Sequence, residues 1–156
     1  MSERTQDPLL LVCSLLNKHD VRYLVVGGHA CILHGLVRTT EDVDILIQDD
    51  EENFRGVIAG LSEMSDGAAR ELTVADLRDN VVVKVADEVE VDVSKSAWTV
   101  SYAEAIADAE SVEIDGIRIP FVSLTQLIRS KETYREEDQG DLIRLRRLRD
   151  GLSDSR

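Results

Sequence analysis

Two consecutive stretches decide the fold of this chain: VRYLVVGGHACILHG, residues 21–35, and VRTTEDVDILI, residues 37–47. Val21–Val26 is apolar and rich in β-branched residues, which reads as a short buried strand. Gly27-Gly28 ends it abruptly. A helix follows from about His29 to His34, closed by Gly35 as the residue free to take positive φ after a helix. Beyond the polar link Val37–Glu41, Asp42–Ile47 reads as a second strand. Its period of two puts Val43, Ile45 and Ile47 on one face, and Asp42 and Asp44 on the other.

Upstream, Asp7-Pro8 is an N-cap followed by proline at the first helical position, and it opens a helix to about His19. Leu9, Val12, Cys13 and Leu16 then share its inner face. Downstream, Glu51–Met64 reads as a helix with Phe54, Val57, Ile58 and Leu61 in its apolar stripe, and Val74–Leu77 as a short helical turn. Asn80–Ala86 and Glu88–Ser94 alternate like an antiparallel hairpin turning around Asp87. A helix around Tyr102–Asp108 leads to a second hairpin, Val112–Ile114 and Ile117–Ile119, about the turn Asp115-Gly116. Ser123 and Gln126 form a capping-box pattern for a helix to about Tyr134. A last helix covers Glu137–Leu148, with Leu142, Leu145 and Leu148 inward. The expectation is a mixed α+β domain over 1–150, built on a small, partly antiparallel sheet, with a frayed tail at 151–156.

Composition narrows the function. The chain has 156 residues, 43% hydrophobic and 31% charged, with 18 Lys and Arg against 31 Asp and Glu and a net charge of −13. That balance describes a folded chain, and it excludes a basic face for coating nucleic acid or a polybasic membrane anchor. Cys13 and Cys31 have neither zinc-knuckle nor redox-pair spacing and read as small core residues of a reduced, cytoplasmic protein. The first residues show no signal peptide, and no apolar run approaches the ~20 residues of a membrane span. Gly27-Gly28 is not a dinucleotide fingerprint, and the chain contains no Walker A sequence.

Three carboxylates carry the chemistry. Asp42 and Asp44 emerge side by side from one strand, and each raises the other's pKa unless a cation lies between them. A hard divalent ion, Mg²⁺ or Mn²⁺, would relieve that repulsion. Asp92, in Val91-Asp-Val93, could join from a neighbouring strand. In a chain this acidic, the pair could equally belong to a solvated strand face. Gly27-Gly28 could let backbone approach a phosphate, or could simply make a tight turn. Arg38 and Thr40 precede the acids in the pattern R-x-T-x-D-x-D, which suits a polyphosphate beside a metal. His29 and His34 lack the spacing of a helical metal pair and read as structural. Trp98 and Tyr102 could stack a base but fit partial burial better. Arg144–Arg149 complements a helix C-terminus.

Val26-Gly-Gly-His-Ala30, His34-Gly35 and Arg38-Thr-Thr-Glu-Asp-Val-Asp44 together resemble the entry motif of the nucleotidyltransferase superfamily, nearest in flavour to its AbiEii/MenT-like group, which includes bacterial toxins. Leu127–Lys131 followed by Asp138–Leu142 is similar to that group's C-terminal helices. The resemblance implies a short mixed sheet flanked by helices and transfer of a nucleoside monophosphate from an NTP to an acceptor hydroxyl. It implies Mg²⁺ or Mn²⁺ held by Asp42, Asp44 and Asp92, with Asp92 alternatively serving as base. Gly27, Gly28, Arg38, Thr40 and Lys131 would bind the nucleotide. His29 stands where many relatives have Ser, and Glu136-Glu137-Asp138 replaces a more basic turn. The acceptor is left open among a small molecule, a protein and an RNA end. A catalytically silent binding protein, such as a toxin–antitoxin partner, and an antibiotic-modifying nucleotidyltransferase are the rival readings. An antitoxin or a second copy of the chain would be the protein partner.

Overall fold

A computed structural model describes residues 7–152; residues 1–6 of the expected domain and 153–156 of the expected tail lie outside them. The chain begins with α1 (Pro8–Lys18), where the Asp7 carboxylate accepts from the backbone N–H groups of Leu9 and Leu10 and a proline opens the helix. Strand β1 (Tyr23–Val26) is buried throughout. It runs directly into α2 (Gly27–Leu33), two residues earlier than the sequence predicts. Gly27 has φ +67°, a left-handed conformation that turns the chain from strand into helix with no linking residue. Gly35, at φ +107°, ends that helix as expected, with its N–H on the Ile32 carbonyl and the Leu36 N–H on that of Cys31.

Next come β2 (Val43–Ile47), α3 (Glu51–Leu61), a 3₁₀ turn and α4 (Val74–Asp79). The predicted hairpin is present as β3 (Val82–Ala86) and β4 (Glu90–Ser94). Two short strands, β5 (Ser96–Ala97) and β6 (Val100–Ser101), lead through α5 (Tyr102–Ala105) to the second hairpin, β7 (Glu110–Ile114) and β8 (Ile117–Phe121). Helices α6 (Leu124–Ser130) and α7 (Glu136–Arg149) close the fold. Helix α6 ends before the expected Tyr134. The segment after it is held by side chains instead, the Thr133 hydroxyl donating to the Asp138 carboxylate at 2.6 Å.

The six main strands form one sheet in the order β3-β4-β2-β1-β8-β7. It is mixed, because β2 lies parallel to β4 and β1 parallel to β8 while the other neighbours are antiparallel. The two central strands are covered on both faces, which explains why β2 is apolar at Val43, Ile45, Leu46 and Ile47 rather than simply alternating. Against the sheet pack α1, also in contact with α3, and α2, also in contact with α6. Leu9, Val12, Cys13 and Leu16 are buried together as the helical spacing predicts, and the core continues to Leu142 and Leu145 of α7. Both cysteines are free thiols in that core. Burial pushes the Cys13 thiol up to about 11, against a bond with Tyr23 that works the other way. No described helix is long and apolar enough to cross a membrane.

Candidate active site

Parallel pairing of β2 with β4 sets Asp44 directly opposite Asp92. Antiparallel pairing of β1 with β2 sets Asp44 opposite Val26, the residue before Gly27. Side chains on paired positions leave a sheet on the same side, so the two carboxyls stand next to each other at the head of α2. They meet closely enough to share a proton. Burial, then the hydrogen bond and charge of Asp92, push Asp44 up to about 7, while Lys131 pulls the other way.

Asp42 lies one residue before β2 and behaves differently. Its carboxyl is hydrogen-bonded to Glu90, and that contact raises Glu90. The ammonium of Lys84 stands among these acids, 3.2 Å from Asp92 Oδ1, 3.7 Å from Asp42 Oδ2 and 3.9 Å from Glu90 Oε2. Asp92, with Glu90 and Asp42 behind it, holds Lys84 above the usual lysine range. The Lys84–Asp92 contact is an ion pair without hydrogen-bond alignment, so the buried Asp92 Oδ1 has no hydrogen-bond partner.

The glycines and the Arg38–Thr40 link close the other side. A Cβ on Gly27 would fall 2.1 Å from Asp44 Oδ2, and one on Gly28 would fall 2.5 Å from Thr40 Oγ1. Only hydrogen fits at either position. Asp42, Asp44, Asp92, Gly28, Arg38 and Thr40 all line one polar cavity of about 660 Å³, together with Lys131 and the start of α7. The predicted site residues therefore converge, except that Gly27 faces a neighbouring cleft.

Lys131 reaches the cavity but is not an unpaired cation. It is nearly buried and held 3.3 Å from Asp138 and 3.1 Å from Asp141. Burial works to lower its pKa, but Cys31, Asp141 and Asp138 outweigh it and raise it. Arg38 pairs with the same Asp141. Arg135 and Arg144, which the sequence did not single out, also line the cavity. Seven carboxylates thus face four cationic side chains there. A polyphosphate could not settle in such a lining without bringing positive charge with it.

Beside this cavity lies a cleft of about 370 Å³ that shares Asp44, Lys131, Arg135 and Asp138 with it and is lined further by Gly27, Ser94, Trp98 and Tyr134. Trp98, at φ +58°, is half exposed and meets Tyr134 edge to face, with ring centroids 6.2 Å apart. Tyr102, by contrast, is buried in the core. The histidines are structural or enclosed: His34 Nε2 lies 2.8 Å from the Val122 carbonyl oxygen, and burial lowers the His29 pKa.

A family model described as "Nucleotidyl transferase of unknown function (DUF2204)" matches residues 5–153. The chain belongs to this family. Among solved structures, an antigenic nucleotidyltransferase-like protein from Paracoccidioides brasiliensis is similar at 21% identity and a TM-score of 0.56, over 90% of this chain and 76% of that one. A candidate nucleotidyltransferase from Thermotoga maritima is similar at 17% identity and a TM-score of 0.52, over 90% of this chain and 87% of that one. These likenesses establish a nucleotidyltransferase-like fold. No curated protein matches significantly.

The donor set of this nucleotidyl transferase family member suits a hard divalent cation. Asp44 and Asp92 would offer adjacent carboxylate oxygens, and a cation between them would relieve the burial and mutual repulsion that raise Asp44. Mg²⁺ commonly takes only one or two protein carboxylates and completes its shell with phosphate and water. No group of three or more His, Cys, Asp and Glu is arranged to hold a metal among the described residues. Sequence reasoning missed Lys84, although the signal was available. A turn centred on Asp87 sets Lys84 opposite Glu90, whereas the actual loop centres on Glu88 and sets it opposite Asp92; the available signal was that Lys84 interrupts an otherwise apolar strand.

Proposed function

We propose that the chain transfers a nucleoside monophosphate from an NTP to an acceptor hydroxyl, releasing pyrophosphate, with Mg²⁺ or Mn²⁺ as cofactor. The observation that carries this reading is the adjacent Asp44 and Asp92 carboxyls opening on the cavity that also contains Gly28, Arg38 and Thr40. Asp44 and Asp92 hold the divalent ion, with Asp42 behind them. When bound, that ion neutralises triphosphate charge and polarises the reacting phosphoryl group. Gly28 lets the backbone pack against the Thr40 side chain at the cavity wall, where the Thr40 hydroxyl and Arg38 meet the phosphates. Lys131 acts on the site's field from its place between Asp138 and Asp141. Asp92 accepts the acceptor's hydroxyl proton as the new O–P bond forms and the bond to pyrophosphate breaks.

The nucleobase lodges in the adjoining cleft against Trp98 and Tyr134, where a flat ring gains stacking that a phosphate does not. We place the chain nearest the AbiEii/MenT-like group, on the Arg38–Asp44 motif. The excess of carboxylates favours a hydroxyl on a small molecule or protein over an RNA end, because long nucleic acid is gripped through its phosphates. Paired, partly buried acids lining a cavity disfavour a silent binding protein.

The test incubates the chain with each α-labelled NTP and Mg²⁺ or Mn²⁺, alone, with cell extract and with total RNA. Label transfer that disappears in Asp44→Asn supports the proposal. No transfer from any NTP to any acceptor overturns it, and labelled RNA ends reassign the acceptor.

A further inference from the structure

The in-register row that builds the site does not stop at Asp92. It crosses four strands as Val26, Asp44, Asp92 and Lys84, on β1, β2, β4 and β3. All four side chains leave the sheet on one side. Lys84 therefore reaches Asp92 from the side away from Asp44, and its ammonium also faces Asp42 and Glu90. The acids are sorted into two pairs, Asp44 with Asp92 and Asp42 with Glu90, and the ammonium stands between them.

That sorting bears on how many cations the site accepts. Two-metal centres hold their ions about 3.5–4 Å apart and need carboxylate oxygens that serve both. The Asp92 oxygen and the Asp42 carboxylate that would serve an outer ion already face a lysine ammonium at 3.2 and 3.7 Å. A second divalent ion would have to approach that positive charge at contact distance or displace it.

We propose that Lys84 is a built-in cation standing where an outer divalent ion would bind, so that the site takes one Mg²⁺ or Mn²⁺ per chain. The inference rests on the metal reading of Asp44 and Asp92. Lys84 is a positioning residue: it fixes the outer carboxylates and acts only through them. Its side chain is half exposed on the edge strand β3, so replacement should leave the fold intact.

Free Mn²⁺ counted by electron paramagnetic resonance during titration gives the stoichiometry without any turnover. The wild-type chain and Lys84→Arg are expected to bind one ion, and Lys84→Met and Lys84→Gln two. Thermal melts of every variant confirm folding, and the Met and Gln forms guard against one of them failing to fold. Two ions in the wild-type chain, or one ion or none in both uncharged variants, overturn the role of Lys84 and leave the nucleotidyl-transfer reading standing. No Mn²⁺ bound by the wild-type chain overturns the metal reading itself, and the inference with it.

Discussion

Replacing Asp44 with Asn should make the metal-free protein more stable, and more so as pH rises. In the folded chain Asp44 is raised from 3.8 to about 7, first by burial and then by Asp92. A carboxyl with a raised folded pKa contributes stability that is fully present below its unfolded pKa and is lost as pH climbs through the folded one. The window here is therefore about pH 4 to 7. A shift of about three units corresponds to a total on the order of 4 kcal/mol, of which roughly 2–3 kcal/mol falls between pH 5 and pH 8. Asn keeps the shape, can donate its amide to Asp92, and has no proton to lose. The advantage of Asp44→Asn over wild type should thus grow by that amount between the two pH values. For a chain of this size that is roughly a 5–10 °C gain in relative melting temperature. Thermal and urea melts of both proteins at pH 5 and pH 8, in a chelator, provide the measurement. Taking the difference between the proteins cancels the titrating groups that do not interact with Asp44. An advantage that is absent at pH 8, or equal at both pH values, refutes the shared-proton account of the pair.

Three further outcomes follow from the same geometry. Gly27→Ala should cost roughly 1–3 kcal/mol through its positive φ alone, and should disturb Asp44 further because the new Cβ lands on its carboxylate; urea melts and Mn²⁺ affinity read the two effects on one sample. Lys131→Ala should lower stability by roughly 1–3 kcal/mol, since it removes the ammonium shared by the buried Asp138 and its neighbour Asp141 and leaves them only Arg135 and Arg38, and a melting temperature unchanged within a degree or so would show the pairing to be inconsequential. Trp98 is the only tryptophan in the chain, so a nucleoside triphosphate entering the cleft should change its fluorescence, whereas inorganic triphosphate should change it little; equal responses to both would place the base elsewhere.

Much of this protein was legible in its sequence because the deciding signals are local. The Asp7-Pro8 cap, the apolar spacing of Leu9, Val12, Cys13 and Leu16, and the Gly35 stop each act within a few residues of themselves, and each stands in the structure as read. The β3–β4 hairpin forms too, but its loop centres on Glu88, one residue later than read. The strand period likewise put Asp42 and Asp44 on one face, and the glycine pair marked where the backbone must pass close to something. What that something is depended on tertiary structure. Which strand lies beside β2, and in what register, is fixed by the packing of the whole core, and that register sets Asp44 against Asp92 and carries the row on to Lys84. The same packing sets Asp42 beside Glu90. It also commits Lys131 to Asp138 and Asp141, because a charge leaving water takes the nearest opposite charge the fold supplies. Spacing along the chain selects the side of a strand, and only the assembled sheet selects the neighbour across it.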